Sequence, residues 1–353
     1  MLRLAATEVA DPCPVDDTVD DTLDEAGDEA GDDAVHGRAA VAAWRERARD
    51  RLARLLGPMP EPVPLDLEVV EAVDCGPYRR EKVVFDSESV MSVPAYLLVP
   101  HERVDRGPAV LAQHGHGPGK AEVCGLDDAT SRAAIEEHNG DYAHQLACRG
   151  YVVLAPDLRC FGERADWNPP DKYGCDLNLV HAVMAGLNPL AQNLWDLARA
   201  LDVLEEHPLV DPDRIGMVGL SYGGTMTLFL AALDERVRAA VVSGYFSSWI
   251  DSHRFPWNMC GSQVLPGMLG ELEHVHLGAL VAPRALLVET GTEDPIFPVD
   301  VARREMVTLA RVYRALGAPE RLEHDVFEGG HRWNGERAYA FLDGWLGSPS
   351  VSS

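Results

Sequence analysis

No apolar run in this sequence reaches the roughly eighteen residues that a membrane-spanning helix requires, so no membrane partner is expected. Basic residues are scarce: 31 Lys and Arg stand against 57 Asp and Glu, a formal net charge of −26. That deficit argues against nucleic acid, whose phosphates demand a basic face. The seven cysteines (Cys13, Cys75, Cys124, Cys148, Cys160, Cys175 and Cys260) form no Cys-x-x-Cys pair, and their number is odd. A secretory leader is not expected either, because Glu8 and Asp11 interrupt any apolar stretch after Arg3. Reduced thiols in a cytoplasmic protein are the expectation; a Cys160–Cys175 bridge is conceivable but nothing requires it. Internal repeats are also missing. What is present is ample material for a core, since 46% of the 353 residues are hydrophobic.

The acidity is concentrated at the front. Twelve acids between Glu8 and Asp33 face one base, Arg3, and few large apolar residues interrupt them. Residues 1–36 therefore read as a solvated, disordered acidic arm. Residues 37–64 follow as an N-terminal helix and a proline-rich link. Val41, Trp44, Ala48, Leu52 and Leu55 recur at helical spacing, Gly57-Pro58 stops the helix, and Pro58, Pro60, Pro62 and Pro64 lead away from it. From 65 to 347 the pattern is that of one catalytic-sized domain. Leu65–Val73, Tyr78–Phe85 and Val90–Val99 predict successive strands, the first two with apolar and charged residues alternating. Ala109–Gln113, Tyr151–Ala155, Ile215–Gly219, Ala239–Val242 and Ala285–Glu289 are short and mostly uninterrupted apolar runs, as expected of strands covered on both faces. Helices fall between them: one capped by Asn188 with Pro189 in its first turn, then Tyr222–Leu233, Val301–Leu316 and Glu336–Leu346, with a last strand near Leu322–Phe327. The fold class is α/β: a doubly wound, mostly parallel sheet of eight or so strands, with antiparallel strands at its N-terminal edge.

Gly219-Leu220-Ser221-Tyr222-Gly223 lies between a predicted strand and a predicted helix, the setting that a Gly-x-Ser-x-Gly nucleophile elbow requires. The turn is tight, so residues two before and two after the serine need side chains near hydrogen in size. The helix that begins there points unpaired N–H groups at the site. Asp294 follows the strand Ala285–Glu289, and His331 follows the last strand on a Gly329-Gly330 lead that lets its ring swing over Ser221. Ser221, Asp294, His331, each just past the carboxyl end of a strand, is the order of a nucleophile, an orienting acid and a general base in this architecture. Glu293 and Glu289 are the rival acids and His324 the rival histidine, the latter two inside strands.

The segment Gln113-His114-Gly115-His116-Gly117-Pro118-Gly119-Lys120 follows the strand Ala109–Gln113, where a second oxyanion donor is expected. The backbone N–H groups of His116 and Tyr222 are the candidate pair. A metal reading of His114-x-His116 lacks a third ligand at a nearby spacing, and His274-x-His276 is far along the chain, so no metal is assigned. A phosphate-loop reading fails at His114, where Gly belongs, and at Ala121, where Ser or Thr belongs. No cofactor is called for.

Taken with Asp157–Arg164 (Asp-Leu-Arg-Cys-Phe-Gly-Glu-Arg), Ala282-Pro283-Arg284 and Gly329-Gly330-His331, these motifs resemble the α/β-hydrolase superfamily, and within it the dienelactone-hydrolase and acetyl-xylan-esterase-like branch. The similarity spans about Leu65 to Leu346. It implies a serine carboxylic-ester hydrolase, an esterase or deacetylase acting on a small-molecule ester through an acyl-enzyme. An acyltransferase or cyclase with the same triad, or a peptidase, is the alternative. Dienelactone hydrolases proper use a cysteine nucleophile, and Ser221 in its place argues against dienelactone as substrate. Substrate selection is expected in the long segments 159–187 and 245–271, with Phe161, Tyr245, Trp249, Trp257 and Trp333 as candidate contacts. Arg159, Glu163 and Arg164 read as a structural ion-pair cluster. By fold analogy, the N-terminal helix or first strands could supply a homodimer interface.

Overall fold

The computed structural model describes residues 11–14, 31–126, 128–166, 174–252 and 259–349. Among the described residues nine strands form one sheet: β1 (Glu68–Asp74), β2 (Tyr78–Glu88), β3 (Met91–Pro100), β4 (Gly107–Gln113), β5 (Val152–Pro156), β6 (Val210–Leu220), β7 (Val237–Ser243), β8 (Ala285–Gly291) and β9 (Leu322–Phe327). Their spatial order is β1-β2-β3-β5-β4-β6-β7-β8-β9. The β1–β2, β2–β3 and β3–β5 pairs are antiparallel, and every pair from β5 to β9 is parallel.

The helices are α1 (Gly31–Leu56), α2 (Lys120–Val123), α3 (Ala129–His138), α4 (Tyr142–Cys148), α5 (Gly174–Met184), α6 (Pro189–Glu206), α7 (Tyr222–Leu233), α8 (Trp249–Ser252), α9 (His274–Val281), α10 (Val299–Ala315) and α11 (Ala338–Leu346). Because side chains alternate along a strand, β4 sends Ala109 and Leu111 into one core and Val110 and Ala112 into another. The first core is closed by α1, α6, α7, α9 and α10, the second by α4 and α11. Covering both faces explains why the central strands read as continuous apolar runs. The helix expected after Asn188 starts there, with the Asn188 side chain accepting the Ala191 N–H at 3.1 Å and Pro189 in its first turn.

Two expectations about the chain's front change. Helix α1 begins at Gly31, so the boundary placed at 37 lies inside a helix. Residues 11–14 of the acidic arm lie against that helix. Trp44 donates its indole N–H to the Asp11 carbonyl at 2.9 Å, and the Asp11 carboxylate pairs with Arg47 and Arg51. Cys13 is buried in the core. Local composition could not reveal this, because the cations that neutralise Asp11 come from a helix more than thirty residues away. Leu67, Val69 and Val70 on and beside the edge strand β1 are exposed. None of the described helices is long and apolar enough to cross a membrane.

Register aligns the parallel strands at one rim: Gln113 pairs with Gly219, Leu220 with Ser243, Ser243 with Glu289 and Gly291 with Phe327. The loops that leave this rim carry every residue of the predicted chemistry.

Candidate active site

Ser221 occupies the sharp turn between β6 and α7 with φ 59° and ψ −118°, a backbone conformation that L-residues rarely adopt. Its N–H donates to the Ser243 carbonyl at 2.9 Å, which holds the strained turn against β7. The small residues around it are required sterically. A Cβ on Gly219 would lie 2.3 Å from the Gly223 backbone, and one on Gly223 would lie 2.2 Å from the Gln113 carbonyl oxygen.

Asp294, buried in the loop after β8, uses both carboxylate oxygens. Oδ1 accepts the N–H groups of Ile296 at 2.8 Å and Phe297 at 3.0 Å, and Oδ2 lies 2.8 Å from His331 Nδ1. A bond on that side fixes the proton on Nδ1 and leaves Nε2 as the basic nitrogen. The neighbouring acid Glu293 is exposed, and His324 is held in β9 beside Thr290 Oγ1 at 3.1 Å, its pKa lowered to about 4 by burial. Glu289 is fully buried below the site. It accepts the N–H groups of Gly335 at 2.9 Å and Asn334 at 3.4 Å, and burial pushes its pKa up to about 7. The rival acid thus braces the chain just beyond His331.

The Gly-Gly lead to His331 is not the loose swing that its composition suggests. Glu293 N–H donates to the Gly329 carbonyl at 2.8 Å, and a Cβ on Gly291 would meet the Gly330 oxygen at 2.4 Å. The glycines allow two loops to pack backbone to backbone. The His331 ring stacks on Phe297, with centroids 5.8 Å apart.

Ser221 and His331 open together on a cavity of about 500 Å³, whose lining also includes Gly115, His116, Glu122, His138, Tyr142, Asp176, Cys260, Gln263 and Phe297. The backbone N–H groups of His116 and Tyr222 have no acceptor among the described residues. Phe161 does not line this cavity; its ring packs on His114, His116 and Tyr222 and supports the loop from beneath. Tyr245, Trp249 and Trp333 also do not line it. Tyr245 and Trp249 are buried around His274, and Trp333 is buried against Tyr142 at 4.7 Å between centroids. Large rings near a rim have more apolar surface to remove from water than a polar cavity can take, and the sheet-side core takes them. Trp257 lies outside the described residues.

Arg159, Glu163 and Arg164 all form ion pairs, as expected, but Glu163 pairs with Lys82 and Lys120 and not with either arginine. Lys120, buried, pairs with Asp157 and Glu163, while Arg159 and Arg164 pair with the buried Asp196. These contacts tie the loop after β5 to α2 and α6.

Several cavity residues carry no local sequence signal. Glu122 is buried, burial raises its pKa to about 7, and its Oε2 has no partner among the described residues. The two long insertions face each other: Gly261 N–H donates to Asp176 at 2.8 Å, and a Cβ on Gly261 would strike Leu179 at 2.6 Å. Their contact brings Cys175 and Cys260 beside His116. All seven cysteines are free thiols, so no Cys160–Cys175 bridge forms. A hydrogen bond from Cys175, helped by His116, holds the Cys260 thiol well below its ordinary pKa. His116, to which the sequence offered no third ligand, thus has two sulfur neighbours delivered by the fold, whereas His114 is committed, its Nε2 accepting the Leu158 N–H at 3.0 Å.

A family model for the dienelactone hydrolase family matches residues 121–308. A curated relative, "Putative hydrolase YtaP" of Bacillus subtilis (strain 168), is 28% identical over 317 residues, covering 86% of this chain and 100% of its own. Among solved structures, "a putative acetyl xylan esterase" from Bacteroides fragilis NCTC 9343 superposes with a TM-score of 0.70 at 18% identity, over 82% of this chain and 76% of that one. A glucuronoyl esterase from Solibacter usitatus gives 0.64 at 17% identity, over 86% and 92%. At these identities the structural likeness speaks for the fold, while the family match covers more than half of the sequence. The chain belongs to the dienelactone hydrolase family.

Proposed function

We propose that this protein is a serine carboxylic-ester hydrolase that cleaves small esters through a covalent acyl-enzyme. The observation that carries the reading is the 2.8 Å contact between His331 Nδ1 and Asp294 Oδ2, in a histidine that opens with Ser221 on one cavity. In the first step His331 Nε2 takes the Ser221 hydroxyl proton as Oγ attacks the ester carbonyl, and Asp294 steadies the imidazolium that forms. The N–H groups of His116 and Tyr222 receive the oxyanion, helped by the N-terminus of the twelve-residue α7. The imidazolium then protonates the departing alcohol. Water, deprotonated by the same nitrogen, releases the acid and restores the serine.

The relatives lend support of a coarser kind, since the solved structures named above are entitled acetyl xylan and glucuronoyl esterases. A cavity of about 500 Å³ suits a small ester, and Glu122, His138, Asp176 and Gln263 in its lining favour a substrate with polar groups.

The test is Ser221→Ala assayed on p-nitrophenyl esters of graded acyl length. Turnover of the acetate should fall by at least about 10⁴-fold, with the melting temperature kept or raised. Retained turnover in a folded variant overturns the reading.

A further inference from the structure

We propose that His116, Cys175 and Cys260 form a three-ligand site for a soft divalent metal ion, zinc foremost, in the wall of the cavity beside Ser221. The His116 nitrogen and the two sulfurs all lie within 4.8 Å of one another, and Cys175 Sγ is 3.9 Å from His116 Nε2. Zinc–sulfur bonds of about 2.3 Å set tetrahedral ligand atoms about 3.8 Å apart, so closure onto an ion asks for a contraction of about an ångström or less.

The three donors arrive on separate segments that are independently fixed. His116 sits on the loop after β4, its ring between Phe161 and Tyr222. Cys175, buried, is in the first turn of α5. Cys260 precedes a 3₁₀ turn, where Gln263 donates its N–H to the Cys260 carbonyl at 3.0 Å and its amide nitrogen reaches the sulfur at 3.5 Å. Asp176, next to Cys175, anchors the Gly261 N–H, so the segments bearing the two sulfurs are bonded to each other one residue from the site.

Two thiolates and an imidazole select zinc or another thiophilic ion over magnesium or calcium, which take oxygen ligands. His116 and Cys260 line the cavity that Ser221 also lines, so the fourth position opens into it and can hold water or a small ligand. Binding displaces the remaining thiol protons to solvent and leaves the cysteines' oxidation state unchanged. An ion there would tie together the loop bearing a proposed oxyanion donor and both insertions. The assignment stands on the three donors, independently of the ester reading, and is tested without an activity readout.

The full chain, stripped with chelator and kept under TCEP, is titrated with Co²⁺ and then Zn²⁺. One equivalent of cobalt should give thiolate-to-cobalt charge-transfer absorption that zinc abolishes. Cys175→Ser and Cys260→Ser should each lose it and weaken zinc binding by more than the roughly 10- to 100-fold that outer partners contribute. Cys148→Ser, an exposed thiol on α4, should keep both. Where a serine variant fails to fold, alkylation of the unmodified chain decides: zinc should protect Cys260 from iodoacetamide and leave Cys148 reactive. No charge-transfer absorption, absorption retained in both folded serine variants, or equal labelling of Cys260 with and without zinc overturns the proposal.

Discussion

On the strand side of the cavity the buried carboxyls have partners: Asp294 uses both oxygens, and Glu289 accepts from Gly335 and Asn334. Elsewhere in the cavity lining, Glu122 of α2 keeps an oxygen without a partner among the described residues, and where the insertions meet two thiols crowd a histidine. Both places bury carboxyls pushed up to about 7, yet only one gives its carboxyl hydrogen bonds that define a position. The carboxyls at the rim are preorganised by backbone N–H groups, whereas Glu122 keeps polar capacity for something that enters the cavity.

The largest effect that would sharpen this contrast is catalytic. Asp294→Asn should keep the fold but lower turnover of p-nitrophenyl acetate by about 10⁴-fold, because the amide favours the wrong histidine tautomer. A loss under tenfold in steady-state assays would mean that the rim's pairing does not set the base. Next in size, Trp333→Ala should cost about 3–5 kcal/mol in urea unfolding, since a fully buried ring leaves a cavity beside Tyr142. It should also lower turnover, because Trp333 is two residues from His331 and the lost ring no longer holds that segment against Tyr142 and Tyr339.

The paired carboxyls give a pH-dependent comparison. A native pKa of about 7 against the ordinary 4.5 means that the folded state holds a proton which the unfolded chain has released. Stability from Glu289 is therefore present below about pH 4.5 and lost as pH rises toward 7, by about 3 kcal/mol. Glu289→Gln should gain on the unmodified protein across that window in melting experiments. At pH 5 it should be the less stable of the two, because an amide –NH2 replaces one of the two oxygens that each accept an N–H. Glu122→Gln should show the same slope, its carboxyl being pushed up equally to about 7, and almost no cost at pH 5. Equal costs at pH 5 would break the contrast between the two carboxyls. The smallest effect belongs to the insertion side. Asn188→Ala should cost about 1 kcal/mol by removing a helix cap, together with the bond its amide donates to the Val264 carbonyl at 3.0 Å. Ester turnover should stay within about twofold, because Asn188 is a half-buried helix cap outside the cavity lining.

Much of the rim was legible. The strand Leu322–Phe327 and the helix Tyr222–Leu233 fall on the residues expected, and Asp294, the candidate named over Glu293, is the acid turned inward. Each of these rests on local rules: apolar runs, caps, and glycines where a Cβ cannot fit. The aromatic contacts were misplaced because an insertion rich in rings gives no sign of which face they turn to, and Tyr245, Trp249 and Trp333 went into the core. Residues 11–14 were misread for a related reason, their charge being answered by Arg47 and Arg51 in a distant helix.

Periodicity and spacing by themselves determined the layered sheet, the strained turn at Ser221 and the placing of Ser221, Asp294 and His331 beyond successive strand ends, because each depends on neighbours within a few residues or on the sequence of strands. Only the tertiary structure decided what else lines the cavity. Whether Cys175 and Cys260 meet His116 depends on two insertions packing against each other, and such long-range contacts leave no periodic trace in the segments that make them.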